Sequence, residues 1–280
     1  MNTSYLAIHG LKWNPFSPDV PIEAVHATPA IEHFCWRVEQ TQLREGGFAL
    51  ITGSPGAGKS VALRVLAERL SAIPDVTVGA MAHPQSAIND FYRELGDLFQ
   101  VPLTPHNRWC GFKALRERWM SHLESTRCKP VLLIDEAQEM NAAVLSELRL
   151  LASARFDSRS LLCVVLAGDE RLTEMLRRDD LVPLASRIRV RLALQPAAPD
   201  ELLATLEHQL NAAGNSGLMT QPLKDTLCEH AIGNRRMLNN FAHELLAIAV
   251  RDNRPQLDEK LYFDLFGKPA KRAPRGAGRG

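Results

Sequence analysis

Residues 49–70 read ALITGSPGAGKSVALRVLAERL. Apolar residues run into a glycine-rich turn, and the turn opens a helix in which Val61, Leu63, Val65, Leu66 and Leu70 share a face. Extended backwards, GFALIT at 47–52 reads as a short apolar strand. Between strand and helix, Gly53-Ser54-Pro55-Gly56-Ala57-Gly58-Lys59-Ser60 satisfies G-x-x-x-x-G-K-[ST]. Glycines let such a backbone curl so that successive N–H groups point at phosphate oxygens, and the helix beyond Ser60 and Val61 adds the positive end of its dipole. In this reading Lys59 reaches the β- and γ-phosphates and Ser60 ligates Mg2+. An ordinary Gly-Pro turn before a helix is the bland alternative, but the flanking strand and amphipathic helix are what phosphate binding demands.

The alternation continues outward. DVTVGAM, PVLLID and LLCVVLAG read as strands, and SAINDFYRELGDLF, FKALRERWMSHLES and AAVLSELRLLA as helices. Helices between fully apolar strands predict a parallel sheet covered on both faces. Near IRVRLAL and QPAAPDE, Pro196 and Pro199 break the chain, and only helical patterns follow. The expected organisation is an N-terminal segment over 1–46, an αβα nucleotide-binding domain over 47–195, a small helical lid over 196–266 and a disordered basic tail over 267–280. The tail holds Lys268, Lys271, Arg272, Arg275 and Arg279 without an acid.

In PVLLIDEAQ, four apolar residues carry Asp135 to the carboxyl end of a strand, where it can hold Mg2+ through water. Glu136 follows, placed to orient and deprotonate an attacking water, which points to hydrolysis rather than transfer to an acceptor. The competing reading makes both acids helix caps. LLCVVLAGDERL ends in Gly168-Asp169, so Asp169 either positions the lytic water with Glu136 or caps ERLTEMLRR. Arg187 lies in a turn before a strand. Arg235 and Arg236 open a helix against its dipole, which suggests anion ligands.

These motifs together resemble an AAA+ ATPase: the phosphate loop, the Asp135-Glu136 pair, a polar sensor at Asp169, Ser186-Arg187, and G-x-x-R at Gly233 to Arg236. GLKWNPFSPD, LAGDERL, LASRI, QPAAPDELLATLEHQLNAAG and GNRRMLNN resemble the ExeA-like branch, close to transposition ATPases of the TniB, TnsC and MuB type. The likeness spans roughly residues 10–266. It implies an α/β three-layer sheet domain with a helical lid and ATP·Mg2+ between the two. Arg187 takes the place of a finger inserted into a neighbouring subunit's site, so that hydrolysis follows homo-oligomerisation, and Arg236 that of a second sensor. Arg235 stands where the family often has proline, and Asp169 where many members have glutamine. The resemblance points to a helper that assembles with ATP on duplex DNA and recruits or regulates a transposase. The alternative is an ATPase of a secretion or envelope-assembly system acting on a protein. Secretion-type relatives carry a membrane helix and a wall-binding region; the expectation of neither here, with the basic tail, favours the transposition role.

Composition narrows less. Hydrophobic residues make up 45% of 280, enough for a real core, and a formal charge of +1 gives no global pull toward nucleic acid or membrane. Five scattered cysteines and nine histidines show no zinc or redox spacing. No signal peptide or membrane span is visible, which predicts a cytoplasmic protein without membrane contact. Trp13, Pro15 and Phe16 line an adenine pocket if the resemblance holds, or belong to the core. Arg108, Lys113, Arg116 and Arg118, interleaved with Trp109 and Trp119, meet DNA phosphates or form a solvated helix face. His83 reads as a turn or capping residue.

Overall fold

A computed structural model describes residues 8–103, 107–156 and 158–267. The chain divides into two compact units, one built on residues 27–196 and the other on the N-terminal stretch to His26 together with Ala197 onward.

The first unit is a five-stranded parallel sheet: β1 (Gly47–Gly53), β2 (Val78–Met81), β3 (Val131–Ile134), β6 (Cys163–Gly168) and β7 (Ile188–Leu194), in the order β2-β3-β6-β1-β7. Every residue of β3 and β6 is buried, as the unbroken apolar runs require. At the edge, β7 alternates instead, with Ile188, Val190, Leu192 and Leu194 inward and Arg189 and Arg191 exposed. Helix α1 (Pro29–Arg37) precedes β1, and α2 (Lys59–Ser71) follows it. On α2 the buried residues are Ala62, Leu63, Val65, Leu66 and Leu70 besides Lys59, while Val61 is only half-buried.

Three helices share one apolar cluster with the sheet: α3 (Ile88–Phe99), α4 (Arg108–Thr126) and α5 (Ala142–Ala152). Trp119 of α4 lies inside it, edge-on to Phe99 at 5.3 Å, so this tryptophan belongs to the core and not to the basic face. A two-stranded hairpin, β4 (Ser153–Ala154) with β5 (Arg159–Ser160), follows α5. Short helices α6 (Glu170–Met175) and α7 (Val182–Ala185) lead to β7.

The second unit contains α8 (Pro199–Ala213), α9 (Gln221–His230), α10 (Arg235–Arg251) and α11 (Glu259–Phe266). Leucines at helical spacing, among them Leu202, Leu206, Leu210, Leu238 and Leu245, form its core. Phe16 is buried in that core, Trp13 packs against it, and the Lys12 N–H donates to the Ala213 carbonyl at 2.8 Å. Of their two readings, the core one describes Trp13 and Phe16 here. The basic residues from Lys268 on lie outside the described residues. No described helix is long and apolar enough to cross a membrane.

Candidate functional site

In an α/β sheet, ligands bind beyond the carboxyl ends of strands where the order reverses. That point here is β1: the chain goes from β1 to one side for β2 and β3, and from β6 across it to β7. The loop Gly53 to Ser60 stands at the carboxyl end of β1. Gly56 and Gly58 adopt φ of 83° and 109°, conformations that side chains resist, and Gly58 directly precedes α2. Lys59 is buried, its ammonium donating to the carbonyls of Gly53 at 3.0 Å and Ser54 at 3.3 Å. Ser60 is exposed at the start of the helix. A cleft of about 540 Å³ opens beside the loop, lined by Thr52 to Ser54, α6 and the end of β7, a volume suited to a small ligand.

The register carries the acids to the same level. Ile134 pairs with Leu166 and Leu166 with Leu50, so Asp135 and Glu136 leave β3 beside the end of β6, one strand from the loop. Asp135 accepts the Glu136 N–H at 2.9 Å, and Glu136 sits at φ 50°, a left-handed conformation costly for a non-glycine residue. Neither carboxylate caps α5; Asn141 does, accepting the Ala143 N–H at 2.9 Å.

Gln138 is the residue that the sequence reading passed over. Its buried amide nitrogen donates to the Glu136 carboxylate, and its oxygen accepts the Asp169 N–H at 3.2 Å. One side chain thereby ties the end of β3 to the end of β6. The signal was present in DEAQ: an amide two residues beyond the acid. Gly168 leaves the room, since a Cβ there would stand 2.6 Å from the Gln138 oxygen and 2.7 Å from a Leu172 methyl.

Asp169 is the N-cap of α6, accepting the Arg171 N–H at 2.9 Å, and is also ion-paired with the Arg171 guanidinium at 2.9 Å. The hydrogen bond from Arg171 is the main cause holding its carboxyl below the usual range, with the Lys59 charge adding to it. The capping reading thus accounts for its observed contacts. Arg171 also reaches Glu139 at 2.9 Å.

Arg187 stands at the other end of the sheet. Phe48 pairs with Ile188 in the parallel β1–β7 ladder, so Arg187 lies level with the start of β1, while the phosphate loop follows its end at Gly53. Seven strand residues span about 20 Å at the usual rise. Arg187 donates to the Pro183 carbonyl and, with Arg159 and Arg189, lines a polar cavity of about 420 Å³.

In the helical unit, Asn234 caps α10, accepting the N–H groups of Arg236 at 3.0 Å and Met237 at 3.1 Å. Arg235 is ion-paired with Glu201 at 3.2 Å, which offsets its place at a helix start within the fold. Arg236 is exposed. The thiols of Cys35 and Cys163 are pushed up to about 12 by burial, and no disulfide forms among the described residues. His83 sits in a turn, its carbonyl accepting the Ser86 N–H at 3.2 Å.

No group of three or more His, Cys, Asp or Glu among the described residues could hold a metal outright. Ser60 and Asp135 instead offer two oxygens, which fits Mg2+: that cation keeps several waters and takes one or two protein oxygens plus substrate phosphates.

Residues 42–176 match the AAA domain family. The chain is 32% identical over 208 residues to general secretion pathway protein A of Aeromonas hydrophila, a match covering 73% of this chain and 37% of that protein. It thus spans little more than a third of that relative's length. In fold it resembles Cdc6p of Pyrobaculum aerophilum, with a TM-score of 0.69 and 17% identity over 87% of this chain and 67% of that one. The Aeropyrum pernix ORC1 protein, solved in complex with DNA, follows at a TM-score of 0.67 and 17% identity, covering 89% of this chain and 67% of that one. Loop, acids, sheet order and family match agree: residues 42–176 form an AAA-type P-loop ATPase domain.

Proposed function

We propose that this protein binds ATP with Mg2+ at the loop Gly53 to Val61 and hydrolyses it only when a second copy presents Arg187. One observation carries the reading: loop and Arg187 occupy opposite ends of the β1–β7 pair, about 20 Å apart by strand rise, so they serve one reaction only across a head-to-tail contact between copies. Backbone N–H groups of the loop and Lys59 hold the phosphates. Ser60 and Asp135 hold Mg2+, which draws charge from the phosphate oxygens when bound. Glu136 takes the proton of the attacking water, and Gln138 orients Glu136. The incoming Arg187 stabilises charge that develops in the transition state. Arg236 is assigned to nucleotide contact from the lid.

We assign the work of the ATPase to a protein partner of a secretion or envelope-assembly system. The 32% likeness to general secretion pathway protein A supports this, as does the use of α4's cations within the fold. Arg108 pairs with Glu147, Lys113 lies 3.7 Å from Glu117, and Arg116 caps carbonyls at the end of α5, which leaves Arg118 as the residue of that basic cluster without such an engagement among the described residues. The second reading is the transposition helper on duplex DNA with a transposase partner, favoured by the motif resemblance and by fold neighbours such as the ORC1 protein solved with DNA.

Electrophoretic shifts with ATP, ADP and no nucleotide separate the two. Equal, weak binding to duplex DNA in all three states is expected of a protein-directed ATPase. Cooperative, ATP-dependent assembly on arbitrary duplex, with a log–log salt slope near about −0.9 per phosphate neutralised, would establish the transposition reading instead.

A further inference from the structure

A groove of about 660 Å³ is formed by α4, the end of α5 and the β4–β5 turn. It shares no residue with the phosphate loop, the Asp135-Glu136 pair or Arg187. Its apolar character is unusual for a solvent-facing surface. Trp109 is 72% exposed and stacks parallel on Phe112 with ring centres 6.2 Å apart, Leu150 is 45% exposed, and Phe156 projects fully into solvent. Large apolar side chains gathered in one concavity mark a binding surface, whereas scattered ones need no explanation. The turn holds Phe156 there at a cost, because Arg155 and Phe156 lie at φ 50° and 55°, both left-handed and neither a glycine.

Charge selects the occupant. Three arginines belong to the groove, but Arg108 is neutralised by the Glu147 carboxylate and spans it with two nitrogens. Arg116 stacks over Phe112 at 5.1 Å while one guanidinium nitrogen caps the carbonyls of Leu150, Leu151 and Ser153. Arg155 makes no ion pair among the described residues. The lining residues therefore offer an apolar floor with one or two net positive charges among them. A nucleic-acid track needs a row of uncommitted cations to follow successive phosphates, and two do not make one. The basic residues Lys268 to Arg279 carry the wrong sign. On this chain the nearest match is the exposed face of α11, with Phe263 and Asp264, but Lys260 shares that face.

We infer that this groove docks an acidic, amphipathic peptide segment of a partner protein, with aromatic or aliphatic anchors against Trp109 and Phe156 and a carboxylate on Arg155. The proposal does not depend on how ATP is turned over.

Panning randomised peptides displayed on phage against the whole protein tests it, followed by fluorescence polarisation with synthetic copies of the enriched sequences. Enriched peptides should combine Asp or Glu with Leu, Phe or Trp. Phe156→Ser and Trp109→Ala should each weaken binding about tenfold or more, the scale of an interface anchor. Arg155→Glu should weaken it most at low salt and abolish its salt dependence. These side chains are exposed, so unchanged thermal unfolding and ATP turnover in the variants separate loss of docking from loss of fold or of ATPase. No groove-dependent enrichment, or enriched peptides lacking acids, overturns the proposal. So does an oligothymidylate that competes for the groove, or self-association abolished by Phe156→Ser, which would assign the surface to single strands or to a second copy.

Discussion

The two ends of the sheet carry opposite chemistry. At the carboxyl ends of β1 and β3 stand a glycine loop, a buried lysine and two acids; at the amino ends of β1 and β7 stand Arg159, Arg187 and the Arg189–Glu45 ion pair around a polar cavity. The first end has the groups proposed to hold a phosphate chain and activate water, and the second has Arg187, proposed to act on the nucleotide of another copy. In a parallel sheet, strand ends cannot trade places, so the separation is built into the topology. If Arg187 acts on a neighbour's nucleotide, as proposed, a single copy is half of a reaction centre.

The sharpest way to break this comparison is Arg187→Ala. Nucleotide binding should survive while turnover falls by about 10³ or more, the range of an arginine acting on transition-state charge. Glu136→Gln should keep ATP bound and lose about 10² or more in rate, as expected for a positioned base, whereas Lys59→Ala should lose binding itself. Nucleotide titrations beside steady-state hydrolysis distinguish the three. Mixing Arg187→Ala with Glu136→Gln should restore activity above either alone, because mixed assemblies contain a contact with an intact arginine facing an intact acid pair. Co-assembly without any recovery would remove the trans role.

A subtler perturbation acts within the carboxyl end. Gln138→Ala should lower kcat about tenfold, the cost of a misaligned group rather than a missing one, with the KM for ATP unchanged; loss of fold would move the melting temperature and nucleotide affinity as well. Least in size is the pH effect at Asp169. Its carboxyl is held below the usual range chiefly by Arg171. The stabilisation is therefore complete above the ordinary carboxylate range and is lost as pH falls through the lowered value. Arg171→Ala should shift that loss upward toward the ordinary value, seen in urea unfolding at descending pH.

The same contrast explains what could be read early. The loop was legible because its geometry is local: Gly56, Gly58, Lys59 and Ser60 act within one turn, and contiguous residues encode a turn. The buried strands β3 and β6 were legible because a strand covered on both faces must be apolar throughout. The role of Gln138 was not, since its second partner, the Asp169 N–H, is 31 residues away. Nor was the burial of Trp119, which shares a helix with exposed Trp109; an amphipathic face shows which residues lie together, not which face meets the core.

By itself, then, the sequence determined a phosphate-binding strand-loop-helix, the acids after a second strand and the parallel sheet, all properties of short segments and their periodicity. Tertiary structure alone decided that Arg187 faces away from its own loop, that Arg235 is spent on Glu201, that Phe16 serves the helical core and that Trp109 and Phe156 share a groove. Each of these depends on which segments become neighbours, and strand order, unlike strand identity, is set by packing across the whole unit.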